Sequence, residues 1–115
     1  MLAVNDALMG AWHDIQPIFA LAMEFWAAAA SSRQRERFRQ AFRKSYEEFR
    51  TIIAGLIEEG IQHGLFRKDV SVSAVAAAVT GTWDALLLQA WFDDSFDPLE
   101  VSRHFLNVLL KGLEK

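Results

Sequence analysis

Apolar residues recur at intervals of three and four along nearly the whole chain, the period of a helix face, and no two-residue hairpin turn joins alternating runs. Two prolines and six glycines are too few to break that pattern often. It predicts an all-α protein, a five-helix bundle. The first helix is expected to start at the N-cap Asn5 and fade near His13 and Asp14, and the second to open at Pro17, whose fixed φ suits a first turn. Phe19, Met23, Trp26, Ala27 and Ala30 then share a face. Ser31 and Ser32, with Gln34 in capping-box position, open a third helix that runs to His63 and spans roughly 45 Å at 1.5 Å per residue. Its apolar face is Phe38, Phe42, Phe49, Ile53, Leu56 and Gly60, flanked by Tyr46, Ile57 and Ile61. Gly64 supplies the left-handed residue that ends it, and Leu65 is placed to fold back onto the last turn.

The fourth helix starts after Ser71 or Ser73, persists to about Phe92 and is apolar on nearly every side. Ala74, Ala78, Gly81 and Ala85 make a line of small residues on it, with Val75, Val79, Trp83, Leu86 and Ala90 roughly opposite. Asp97-Pro98-Leu99-Glu100 opens the fifth helix with an N-cap aspartate and a proline at the first position, and Val101, Phe105, Leu106, Leu109, Leu110 and Leu113 line it. A bundle this small cannot cover two such helices by itself. A second copy is the expected cover, in a two-fold contact near Ala78, Gly81, Ala85, Leu106 and Leu110.

Composition narrows the function classes. At 115 residues, 52% of them apolar, the chain has the size of one domain, residues 1–115, with a real core. Its net charge of −3 favours neither nucleic acid nor an anionic membrane. Without cysteine there is no disulfide, no thiolate nucleophile and no zinc-thiolate site. No basic leader precedes an apolar start, and no run reaches the eighteen or so apolar residues a membrane span needs. The expectation is a soluble cytoplasmic protein without membrane contact.

No catalytic constellation stands out. His13, His63 and His104 fall on different helices, and none has a carboxylate at i+3 or i+4 that would make a shared metal site obvious. Glu58-Glu59 and Asp93-Asp94 are sequence neighbours, which point about 100° apart on a helix and do not converge. The chain is read as a non-enzyme with no cofactor and no metal. Between Arg33 and Arg50, seven Lys or Arg face three Glu, but phenylalanines interleave them at core spacing, as on any solvated helix face. The aromatic content of the first three helices is a stronger signal. Phe19, Met23, Trp26, Phe42, Tyr46, Phe49 and Ile53, with Trp83 from the fourth helix, offer large apolar area and few polar handles. The Tyr46 hydroxyl and the tryptophan N–H groups are the natural hydrogen-bonding points.

The run Leu56-Ile57-Glu58-Glu59-Gly60-Ile61-Gln62-His63-Gly64-Leu65-Phe66, followed by the apolar helix from Ala74 to Gln89, resembles the C-terminal half of TetR/AcrR-type transcriptional regulators. Glu24-Phe25-Trp26 before an arginine-rich helix start is similar as well. The resemblance covers nearly everything from Pro17 onward and implies an effector-sensing and dimerisation domain. The last two helices of each subunit would pair in a four-helix interface, and a largely apolar or aromatic small molecule would bind among Phe19, Met23, Trp26, Phe42, Tyr46, Phe49, Ile53 and Trp83. A strongly charged ligand is expected to lack a partner there. Regulators of this type begin with a helix-turn-helix domain, whereas Met1 opens almost directly on the effector half, so this chain alone is expected not to bind nucleic acid. The alternative is a stand-alone helical interaction or small-lipid-binding protein without DNA-binding activity.

Overall fold

A computed structural model describes residues 1–30 and 33–115. The capping box expected at Ser31 and Ser32 lies outside the described residues. Among those described, the helices are α1 (Leu2–Gly10), α2 (Trp12–Ala30), α3 (Arg35–Gln62), α4 (Val72–Phe92) and α5 (Pro98–Leu113). Three of the boundaries follow from capping chemistry. Asp97 accepts from the backbone N–H of Leu99 at 3.0 Å and of Glu100 at 3.3 Å, with Pro98 at the first position. Ser71 accepts from Ala74 at 3.3 Å. Gly64, at φ +73°, ends α3 while Leu65 and Gly64 donate to the carbonyls of Gly60 (2.9 Å) and Ile61 (3.0 Å), the paired bonds of a Schellman turn.

The N-terminal boundaries depart from expectation. α1 begins at Leu2, so Asn5 caps nothing; it is fully buried, and its Oδ1 accepts from Trp83 Nε1 at 2.8 Å. α2 begins at Trp12, with the Ala11 carbonyl accepting from both Asp14 and Ile15 at 3.0 Å. Pro17 therefore lies inside α2, where the helix tolerates the missing N–H. Leu65 does not fold back; it is exposed, and Phe66 covers Gly60 in its place. Phe66 also bridges to Glu114, and Arg67 donates to the Leu113 carbonyl at 2.8 Å, so the α3–α4 turn is fastened to the end of α5.

α3 packs along α4 and α1 along α5, while α4 and α5 lie against each other. Ile53 and Ile57 from α3, Val79, Trp83 and Leu87 from α4, Leu106 from α5 and Met9 and Trp12 from the N-terminal helices form the core. The buried hydroxyls of Thr80 and Ser102 donate to carbonyls of their own helices, so neither interrupts the packing. α2 touches the rest mainly through α1 and α3. The Cα atoms spread over 48 × 34 × 17 Å, which in the thinnest direction is about two helices deep. A slab of that depth leaves one side of most helices uncovered.

α4 shows the consequence. It is long and apolar enough to cross a membrane by length and composition, contrary to the expectation that no run would be, yet only 33% of its most apolar stretch is buried in this chain. Its line of large residues faces the core, and Ala74, Ala78, Gly81, Ala85 and Phe92 face outward and are exposed.

Candidate functional site

The second half of α2 leans over the first half of α3 without closing on it. Trp26 remains 59% exposed, Tyr46 40% and Phe42 39%. Between them and α4 lies an open trough of about 400 Å³, walled by Phe19, Ala22, Met23 and Trp26 from α2, Phe42 and Tyr46 from α3, and Asp84, Leu87 and Leu88 from α4. Toward α1 it runs into a recess of about 200 Å³, where Leu8, Ser45, Phe49, Thr80 and Trp83 join Phe42, Tyr46, Asp84 and Leu87. Toward the start of α3 it continues into an outer pocket of about 310 Å³, bordered by Trp26, Ala30, Arg35, Phe38, Arg39 and Phe42. The rings around it also pack on one another. Trp12 meets Phe19 edge-on at 5.4 Å, Phe38 meets Phe42 at 5.0 Å, and Phe49 meets Trp83 edge-on at 6.3 Å.

Seven of the eight positions singled out for a ligand therefore line the trough or its recess: Phe19, Met23, Trp26, Phe42, Tyr46, Phe49 and Trp83. Ile53 does not. It is fully buried in the core below them, because α4 lies flat on α3 at that level. The polar handles also differ from expectation. The Trp83 N–H is occupied by Asn5, and the Tyr46 hydroxyl donates to Oδ2 of Asp84. That hydrogen bond, with partial burial and the negative charge of Asp84 adding to it, pushes the Tyr46 hydroxyl up to about 12. Asp84 was not among the expected site residues. Its signal in the sequence is that it carries the one charge in α4, an otherwise uncharged helix of 21 residues.

On the other side of α4, Ala78, Gly81 and Ala85 lie on the exposed outer stripe. Of the α5 positions expected beside them, Leu110 is half-buried, but Leu106 is fully buried in the chain's own core and offers no surface to a partner. The exposed apolar residues of α5 are Val101 and Val108. Arg33 to Arg50 is a solvated face, with Arg43 paired to Glu47 at 3.1 Å and Arg39 to Glu36 at 3.8 Å. His13, His63 and His104 are exposed. Among the described residues no group of three or more His, Asp or Glu is arranged to hold a metal ion.

A family model for the tetracyclin repressor-like C-terminal domain matches residues 17–106. The chain belongs to this family. Its members are the sensing and pairing halves of transcriptional regulators and are not an enzyme family. No curated protein and no solved structure matches the chain. The matched region of this tetracyclin repressor-like domain contains the whole of α3 and α4, most of α2 and the first half of α5. Every wall of the main trough falls within it.

Proposed function

We propose that residues 1–115 form the effector-sensing and dimerisation domain of a TetR-type transcriptional regulator in the cytoplasm, and that the trough between α2, α3 and α4 receives a small molecule with a largely apolar body. The observation that carries this reading is the unfilled volume. Phe19, Met23, Trp26, Phe42 and Tyr46 surround about 400 Å³ instead of interlocking, and a space of that size suits a ligand of drug-like dimensions. The sparse attachment of α2 supplies the mechanical side, because a ligand bridging α2 to α3 and α4 favours one placement of α2 over others. Sensing is then differential binding between those placements, transmitted through the pairing of two copies.

Titration of tryptophan fluorescence with hydrophobic compounds tests the reading. Saturable binding that Trp26→Ala and Tyr46→Ala weaken, without a matching loss of stability, supports it; if both variants alter only stability, the aromatic cluster is ordinary packing. Pairing is proposed through the outer stripe of α4 at Ala78, Gly81 and Ala85, with Val101 and Val108 of α5 in place of Leu106. A monomer mass by light scattering at micromolar concentration would overturn that assignment.

A further inference from the structure

We propose that the molecule received by the trough is a lipophilic organic cation, its positive charge resting against Asp84 and its apolar body among the rings of Trp26, Phe42 and Tyr46. The inference rests on the effector-binding reading and deepens it by naming the charge of the ligand. Asp84 is the one ionised side chain among the residues that line the main trough and its recess. Among the described residues Tyr46 is the only side chain hydrogen-bonded to it, through Oδ2, which leaves Oδ1 to accept from a ligand. Among the described residues that line the trough and its recess there is no Lys or Arg. Arg39 borders only the outer pocket, two turns of α3 from Tyr46 or about 10 Å, and is engaged with Glu36.

The tie between the two helices does not itself require a charge. A tyrosine hydroxyl needs an acceptor, and an asparagine carbonyl oxygen would serve as well as a carboxylate. The negative charge is therefore surplus to the structural role, in a helix with no other ionised residue. Its surroundings match one ligand chemistry. Aromatic faces attract cations through their quadrupoles, an effect that grows as water is excluded. An anion in the trough would meet Asp84 as a like charge, and a neutral body pressed over the carboxylate would strip its water without replacing it. A monocation offsets both penalties.

The test compares three phenyl-bearing probes on the full chain by tryptophan quenching: the matched ions tetraphenylphosphonium (cationic) and tetraphenylborate (anionic), and the smaller triphenylphosphine oxide (neutral). The proposal expects the cation to bind about tenfold more tightly than either of the others, the margin that a cation–π contact and an ion pair at a half-open site supply together. Asp84→Asn, which keeps the Tyr46 acceptor, should remove most of that margin while leaving the neutral probe's affinity and the melting temperature in place. The wild-type comparison decides even if the variant folds poorly. Equal affinity for cation and neutral probe, or an Asp84→Asn variant that keeps the cation preference, overturns the proposal and leaves the effector-binding reading standing. Tighter binding of the anion, seated at Arg35 and Arg39, also overturns it. Failure of all three probes to bind at millimolar concentration defeats both.

Discussion

The two ends of α3 carry large apolar side chains at one continuous spacing and meet opposite fates. Phe38, Phe42, Tyr46, Phe49, Ile53, Ile57 and Gly60 follow one another at intervals of three and four, yet Ile53 and Ile57 are fully buried while Phe42, Tyr46 and Phe49 remain more than a third exposed. The difference lies in the covering element. The C-terminal half of α3 is covered by α4, which is itself held by α5. The N-terminal half is covered by α2, and Ile18, Leu21, Phe25 and Trp26 of α2 are all more than half exposed. One end of the helix is thus committed to the core and the other is left open to solvent.

The largest effect that could break this comparison is a truncation at the committed end. Ile57→Ala should cost about 2–5 kcal/mol in urea unfolding, whereas Phe42→Ala, already partly solvated, should cost roughly 1 kcal/mol. Similar losses at both sites would mean that the trough is filled in solution. Next comes Gly60→Ala. A methyl group there would collide with the ring of Phe66, and displacing a packed ring should cost about 1–3 kcal/mol, read as a lower melting temperature.

Helix periodicity together with local caps such as Asp97 and Gly64 placed α3, α4 and α5 in the sequence, but not every face: Ile57, expected on the flank of α3, is fully buried, whereas Phe42 and Phe49 of α3 and Val101 of α5, expected on the apolar faces, are exposed. The start of the chain was less legible. Asn5 has the residue type of an N-cap, but its partner Trp83 is 78 positions away, and a tertiary hydrogen bond leaves no local trace. Likewise Pro17 looks like a helix start, although the turn at Ala11 had already begun α2. In the site, residue type and spacing identified the aromatic walls. They could not separate Ile53 from Phe49, one turn apart, because that depends on where α4 comes to lie. Asp84 was overlooked because it is a single exposed carboxylate in a helix, and its partner Tyr46 lies 38 positions away.

Gly81→Leu sharpens the comparison from the outer side of α4. Nothing lies within 4 Å of a Cβ added at Gly81, and the position is exposed, so the isolated chain should tolerate leucine, with about 0.8 kcal/mol gained in helix propensity. If two copies pair over this stripe, the same change should weaken the dimer by about 1–3 kcal/mol. Sedimentation at several concentrations separates the two outcomes, and an unchanged association constant would move the contact elsewhere.

A smaller effect concerns Tyr46, the chain's single tyrosine. Its hydroxyl should ionise near 12 instead of the ordinary 10.0, and in Asp84→Ala, which removes the acceptor, phenolate absorbance should shift back toward the lower value. The folded value is raised, so this hydrogen bond contributes its full stability below pH 10 and loses it as the pH rises through about 12. The smallest effect belongs to Arg67 and Asp69 in the α3–α4 turn. Their bidentate contact at 2.8 Å draws Asp69 down to about 2. Both side chains are open to solvent, and Asp69→Asn should leave the melting temperature within error.

The fastening of the α3–α4 turn to the end of α5 makes a lever of α3. Phe66, bridged to Glu114 and seated on Gly60, fixes the C-terminal end of a helix that runs 28 residues to Arg35, or about 42 Å. Phe49 and Tyr46 hold the helix to α4 farther along, so the free arm is the stretch from Tyr46 to Arg35, about 16 Å, and α2 rides on it. A tilt of about 5° where the arm leaves α4 would carry the arginine-bearing tip through about 1–2 Å, by the length of the rod alone. A molecule bound partway along the arm could therefore produce a displacement at the tip larger than any adjustment at its own contacts.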